Sequence, residues 1–288
     1  MDFRADLHCH STCSDGSLLP IELVDMAIDI GLQGLSITDH DTVEAYKTAV
    51  QRAEESGLKL LPGVEFSTSH KDISVHVLGY AFDPRNTEIV NFCNTHIEER
   101  RRRNKRIIEL LIRKGFKVSE EELNDISFEG AKGKPKSLGR PHIAQLLIQK
   151  GHVASIQEAF DKYIGDNKSC YEPGKRHSVE ETIDLIHRVG GKAVIAHPHL
   201  IKRRKIVRDL MAMDFDGLEA YYAKMPLHQE QTWIDKAKEK GWLATGGSDY
   251  HGSVKPRLSL GCSWVSNEIF NYFYDIYLRN KKEQDDSE

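Results

Sequence analysis

The sequence predicts an α/β protein, strand–helix units wound into a β/α barrel and interrupted by a helical insertion. Three observations predict it. Short apolar strand-like runs alternate with helically spaced segments toward both ends of the chain. The middle is helical and heavily charged, without a convincing strand. Clusters of His, Asp and Glu recur where strands end, which is where barrel chemistry sits.

The bulk numbers leave room for this. A chain of 288 residues fits one large barrel or two small domains and can bury a sizeable core. Hydrophobic residues are 39% and charged residues 29%, ordinary values for a globular protein. A formal net charge of −4 excludes a polycation that coats nucleic acid, so attraction to phosphate must come from local patches. Cys9, Cys13, Cys93, Cys170 and Cys262 are odd in number and irregularly spaced, which reads as free thiols in a reducing cytoplasm. The start MDFRADLHCHS has no apolar core for a signal peptide. No run approaches the ~18 apolar residues of a membrane span.

The elements follow in order. Phe3 to His8 reads as a strand and Pro20 to Ile30 as a helix, with Pro20 in its first turn and Gly31 ending it. Gly34 to Thr38 is a second strand. Asp41 begins a helix, with Glu44 completing a capping box. Leu58 to Phe66 and Ile73 to Tyr80 are the third and fourth strands. After Pro84 helices dominate: 86–115, 119–125, 141–150 and 155–163. Alternation resumes with helix 178–189, strand 192–196, helix 202–211, strand 217–220, helix 227–240, strand 242–246 and helix 267–277. The domain reading is a barrel of 1–84 and 171–280, an insertion of 85–170 and a disordered tail of 281–288.

The reactive residues sit against this frame. His8 and His10 follow the first strand, with Asp15 five residues on. Asp39-His40 follows the second strand and Glu65 the third, and His76 lies in the fourth. His197 ends the strand after the insertion, and Asp249 and His251 follow the last one. Side chains alternate along a strand, so His8 and His10 share a face and Cys9 points away. A lone histidine is more often a surface or hydrogen-bonded residue than a ligand. That bland reading holds for His96, His142, His152, His177, His187 and His228. Asp41 reads as a helix cap, Asp6 as an orienting carboxylate, and Glu219 as a weaker site candidate. Nitrogen and carboxylate donors without thiolate suit manganese, iron or zinc. So many donors suggest two or three ions sharing bridging groups.

Together DLHCHSTCSDG, ITDHDT, GVEFS, VHVLGY, AHP and GSDYH resemble the PHP (polymerase and histidinol phosphatase) superfamily over nearly the whole chain. The resemblance implies a distorted (β/α)7 TIM-like barrel with a two- or three-metal centre. It implies that Glu65 bridges two metals and that His8, His10 and Asp249 complete one. His76 and His197 would hold the second, and Asp15, His40 and His251 the third. Length and insertion resemble the nucleoside 3′,5′-bisphosphate phosphatases related to RNase AM, a 5′-to-3′ exoribonuclease. That subgroup carries a phosphate-reading element, here Gly139-Arg140-Pro141-His142-Ile143-Ala144. Where the subgroup commonly has Gly-Arg after His-Pro, this chain has His199-Leu200.

The chemistry expected is hydrolysis of a phosphoester, with Mn²⁺ the leading metal and Fe²⁺ or Zn²⁺ alternatives. Clustered cations lower the pKa of water to ~7 and offset phosphoryl charge. Further cations must hold the substrate. In Arg100-Arg101-Arg102-Arg103 only one or two can face a pocket. Arg140, His142, Lys134 and Arg103 are the expected substrate contacts, and Lys202–Lys205 is a more ambiguous basic run. A phosphate on the metals and another on the insertion would select a 3′,5′-bisphosphonucleoside or a short 5′-phosphorylated RNA. The competing readings are a histidinol-phosphate-type phosphatase and a metal-binding accessory module without catalysis.

Overall fold

The computed structural model describes residues 3–126 and 137–286. Lys134, an expected substrate contact, and Lys136 beside it lie outside the described residues. The strands form two sheets, ordered β1-β2-β3 and β4-β5-β6-β7-β8. The first holds β1 (Ala5–Cys9), β2 (Gly34–Ile37) and the two-residue β3 (Lys59–Leu60), all parallel. The second holds β4 (Gly63–His70), β5 (Ile73–Tyr80), β6 (Lys192–Ile195), β7 (Gly217–Tyr222) and β8 (Leu243–Gly247). The sheets touch at both margins. His10 N–H donates to Tyr250 O at 2.8 Å and Asp249 N–H to His8 O at 2.7 Å; Glu65 N–H donates to Thr38 O at 3.2 Å. Gly247 permits the first approach, since a Cβ there would lie 2.4 Å from His8 N.

The expected parallel order fails at one strand. β5 is antiparallel to both β4 and β6. Only Lys71 and Asp72 separate β4 from β5, both at positive φ (49° and 62°), the twist a two-residue hairpin needs. A parallel return would require a crossover of a dozen or more residues. The expected third strand is also split, with Leu61-Pro62 between β3 and β4.

Helices α1 (Pro20–Asp29) and α2 (Tyr46–Ser56) cover the first sheet through Leu23, Val24, Ala27, Ala49 and Ala53. Asp41 does not cap α2, which starts at Tyr46. It is fully buried at φ 57°, accepting from Ser67 N–H at 2.7 Å and from Arg100 Nε at 2.5 Å.

The long helix α3 (Thr87–Arg113) joins two cores. The side chain of Asn86 caps its start by accepting from Glu88 N–H at 2.9 Å. Its buried positions are Ile89, Cys93, His96, Arg103, Asn104, Ile107, Ile108 and Leu111, the spacing of one helical stripe. Ile89 and Cys93 pack in the large core around the sheets. Ile107, Ile108 and Leu111 pack in a separate core with α4 (Glu120–Asn124), α5 (Arg140–Gln149), α6 (Ile156–Ala159) and the π-helical turn Phe160–Ile164. Arg100 and Arg103 fall midway, between the cores.

The remaining helices are α7 (Val179–Arg188), α8 (Arg204–Leu210), α9 (Leu227–Lys240) and α10 (Asn267–Asp285). The tail expected to be disordered continues α10 to Asp285, whose carboxylate accepts from Arg85 at 2.5 Å. No helix among the described residues is long and apolar enough to cross a membrane.

Candidate metal centre

Glu65 lies at the middle of a ring of imidazoles. It is the third residue of β4, buried, and its register on β5 sets Ser67 opposite His76. Glu65 Oε1 meets His76 Nδ1 at 2.7 Å and His197 Nε2 at 2.8 Å. Glu65 Oε2 faces His10 Nε2 at 3.1 Å, His8 Nε2 at 3.3 Å and His40 Nδ1 at 3.3 Å. Asp249 Oδ1 adds contacts to His8 Nε2 at 3.5 Å, His10 Nε2 at 3.4 Å and His251 Nδ1 at 3.5 Å. Asp15 approaches His251 Nε2 at 3.4 Å, His10 Nδ1 at 3.6 Å and His40 Nε2 at 3.8 Å. His8, His10, Asp15, His40, Glu65, His76, His197, Asp249 and His251 therefore share one pocket. Glu65 sits inside β4, where the sequence pattern expects it after the strand, and His76 lies within its strand as expected.

The donor atoms fall into groups able to hold an ion: His8, His10, Glu65 and Asp249; His10, Asp15, His40 and His251; and His40, Glu65 and His76. His197 stays outside the last group and meets only the outer oxygen of Glu65. The fit to metal rests on orphaned atoms. His8 Nε2, His10 Nε2 and His40 Nδ1 are buried without a hydrogen-bond partner, and all three aim at Glu65 Oε2. Buried polar atoms normally find partners. A cation among these nitrogens and oxygens satisfies them.

Charge favours the same state. Burial would push Glu65, Asp15 and Asp249 up, yet the neighbouring imidazoles, with Lys255 at Asp249, hold all three carboxyls well below their usual range. Burial drives His40 down to about 3 and lowers His76 and His251, leaving those rings neutral with lone pairs to offer. Burial also opposes a charge on His8 and His10, but the carboxylates outweigh it. They hold His8 well above the ordinary histidine value and His10 at about 9, so metal entry displaces protons there.

A second layer fixes this one. His8 Nδ1 donates to Glu219 Oε1 at 2.9 Å, which leaves Nε2 for the pocket, and Glu219 Oε2 accepts from His197 N–H at 2.8 Å. The sequence reading underrated Glu219, although it stands on a strand beside the others. Asp6 accepts from the backbone N–H groups of His8, Ser248 and Gly261 at 3.1, 2.9 and 2.8 Å, tying β1 to β8. Asp39 accepts from Ser11 N–H at 2.8 Å and from the Ser11 and Ser14 hydroxyls at 2.5 Å, which fixes the loop carrying Asp15. Tyr222 and Lys255 both donate to Asp249 Oδ2 at 2.6 Å. His197 (φ 28°) and Asp249 (φ 51°) hold left-handed backbone, a strain of ~1–3 kcal/mol each that such anchoring offsets.

A basic cavity of about 510 Å³ opens on this cluster. Asp15, His40, His76 and His251 line one side; Arg100, Arg103, Arg140 and Arg176 line the other. Arg103 is only 8% exposed, its guanidinium meets Asn104 Oδ1 at 3.1 Å, and among the described residues it forms no salt bridge. Burial and the neighbouring Arg100, Arg140 and Arg176 depress its pKa strongly. Arg140 is ion-paired to Asp166 at 2.7 Å. His142 is not part of this lining; its Nδ1 accepts from Gly139 N–H at 3.0 Å in the first turn of α5, and burial lowers its pKa to about 4. The sequence shows Lys175-Arg176 as a basic pair without assigning it to the site, and it does not single out Arg100. The signal for Arg100 was its i, i+3 spacing to Arg103.

A family model for the PHP domain matches residues 6–242, and the chain belongs to that family. It is 32% identical over 271 residues to a 5′-3′ exoribonuclease of Haemophilus influenzae, covering 92% of this chain and 93% of the relative. It is 30% identical over 254 residues to a 3′,5′-nucleoside bisphosphate phosphatase of Chromobacterium violaceum, covering 85% and 86%. A Bifidobacterium adolescentis protein assigned to the metal-dependent phosphoesterases superposes with a TM-score of 0.83 at 31% identity, covering 94% of this chain and 96% of that one.

Proposed function

We propose that this protein is a metal-dependent phosphoesterase that hydrolyses 3′,5′-bisphosphonucleosides and short 5′-phosphorylated RNA from the 5′ end. One observation carries the reading: a cavity lined by Arg100, Arg103, Arg140 and Arg176 faces the His/Asp/Glu cluster directly. Such a cavity takes one phosphate at the guanidiniums while another lies at the cluster.

The assignments are these. His8, His10, Glu65 and Asp249 hold one ion, Glu65, His76 and His197 a second, and Asp15, His40 and His251 a third, with Mn²⁺ the expected metal. Bound divalent cations supply Lewis acidity, which acidifies water and offsets phosphoryl charge. The chain's own residues orient and select. Glu219 fixes the tautomer of His8. Asp41 and Ser67 pin Arg100, at 2.5 and 2.6 Å. Arg103 receives the terminal phosphate in a site shielded from water. Hydrolysis breaks the P–O3′ bond: the hydroxyl of water goes to phosphorus and a proton to O3′. On RNA the remaining strand then carries a new 5′-phosphate, the group the guanidiniums read, so cutting can repeat.

The two sheets and their contacts at both margins support a distorted (β/α)7 barrel, and the separate core of 107–170 supports reading 85–170 as an insertion. The free cysteines fit a cytoplasmic setting. A substrate panel tests the function. With Mn²⁺, adenosine 3′,5′-bisphosphate and a 5′-phosphorylated pentaribonucleotide should be hydrolysed with kcat/KM at least ~10-fold above histidinol phosphate, about 1.4 kcal/mol of discrimination. Histidinol phosphate as the better substrate overturns the reading.

A further inference from the structure

A second cavity, of about 430 Å³, adjoins the first. The two share Ser74 and His76 in their linings. His197, Lys202 and Arg203 form part of the lining of the second cavity. Its charge differs from that of the first cavity. Asp166 is the acidic residue on its wall, and that carboxylate is already engaged by Arg140 at 2.7 Å. Lys202 and Arg203 are exposed and form no salt bridge among the described residues. Leu200, 53% exposed, adds an apolar wall.

The backbone explains why these residues stand here. His197 takes φ 28°, Pro198 follows, and the chain makes one 3-10 turn before α8 begins at Arg204. This brings Lys202 and Arg203 back beside the cluster rather than letting them continue along the sheet. The mechanism above uses neither cation. A bisphosphonucleoside spanning the guanidinium cavity and the cluster has no further phosphate to place in the second cavity.

We infer that the second cavity is a binding subsite for the RNA strand downstream of the scissile phosphate, with Lys202 and Arg203 contacting the next phosphates. This rests on the phosphoesterase reading above. With the 5′-phosphate at Arg103 and the scissile phosphate at the cluster, the strand continuing through O5′ leaves on the side of His76 and His197. There it meets two unpaired cations and an apolar surface that suits a ribose or base face. The pair thus sets preference for oligonucleotides over mononucleotides and takes no part in bond cleavage.

The test is the Lys202→Ala/Arg203→Ala double variant, loaded with Mn²⁺. Steady-state kinetics are measured on a 5′-phosphorylated pentaribonucleotide and on adenosine 3′,5′-bisphosphate at several salt concentrations. The ratio of their kcat/KM values should fall ~10-fold, carried by KM of the pentanucleotide. The salt dependence of that KM should weaken by about 1.4 log units per log unit, as expected for two lost single-strand phosphate contacts. Lys236→Ala/Lys240→Ala on α9, which lines neither cavity, controls for general charge. An unchanged ratio, or an equal fall for both substrates, overturns the subsite. Failure of the unaltered protein to cleave either substrate is the separate failure of the parent reading.

Discussion

The two walls of the main cavity solve opposite problems. The sheet wall concentrates carboxylates and imidazoles. Glu65, Asp15 and Asp249 are each bracketed by histidines within 4 Å, so nearly every negative charge there has several partners. The helical wall concentrates guanidiniums, and Arg103 has no carboxylate partner among the described residues. One wall is built to keep cations and the other to await an anion. They are coupled at Asp41. This residue follows His40 in sequence and holds Arg100 of α3, so the geometry of a metal-facing histidine and of a phosphate-facing arginine share one buried ion pair.

The largest effect should come from attacking the sheet wall at its hub. Glu65→Gln keeps the shape but removes the charge around which His8, His10, His40, His76 and His197 gather. Turnover should drop at least ~10³-fold, about 4 kcal/mol in the barrier. Elemental analysis of the purified variant should show depleted metal. Full metal occupancy with near-normal turnover would break the contrast between the walls.

The sheet wall was far more legible than the helical one, and the reason is local sequence. His8-Cys9-His10, Asp39-His40 and Ser248-Asp249-Tyr250-His251 are short motifs whose placement follows from strand alternation and strand ends. Cys9 indeed lies in the core, its thiol against Ser36 O at 3.3 Å, while the histidines on either side share the pocket. Arg100 and Arg176 come from segments 76 residues apart, and their meeting depends on how α3 packs across two cores. No local pattern encodes that. The antiparallel β5 was legible in principle, because the loop from Phe66 to Ile73 is too short for a crossover. Asp41 misled because Asp followed by Glu three residues on is a capping pattern, yet its partner is Arg100, remote in sequence.

A smaller effect, with a distinctive signature, should follow at the helical wall. Arg103→Met replaces an uncompensated buried cation by an apolar chain of similar reach. Burying such a charge is costly, so the melting temperature should rise by ~2 °C or more. kcat/KM for the bisphosphate should fall ~10–100-fold, through the lost phosphate contact, with metal content unchanged. Loss of metal, or a lower melting temperature, would say that Arg103 serves the fold rather than the anion.

The smallest effect should belong to Arg140, for a reason internal to the same wall. Its guanidinium is only partly available, since Asp166 accepts from it at 2.7 Å and it stacks over Phe160 at 5.4 Å and Tyr171 at 5.5 Å. A phosphate must share this group with an existing partner, so Arg140→Ala should cost only ~3–10-fold in kcat/KM, carried by KM. Asp166→Asn sharpens the comparison. Releasing Arg140 from its carboxylate should strengthen its hold on the phosphate and lower KM for the bisphosphate, at constant metal content. If Arg140→Ala instead costs as much as Arg103→Met, the paired and unpaired guanidiniums are equivalent, and charge compensation does not rank the residues of this wall.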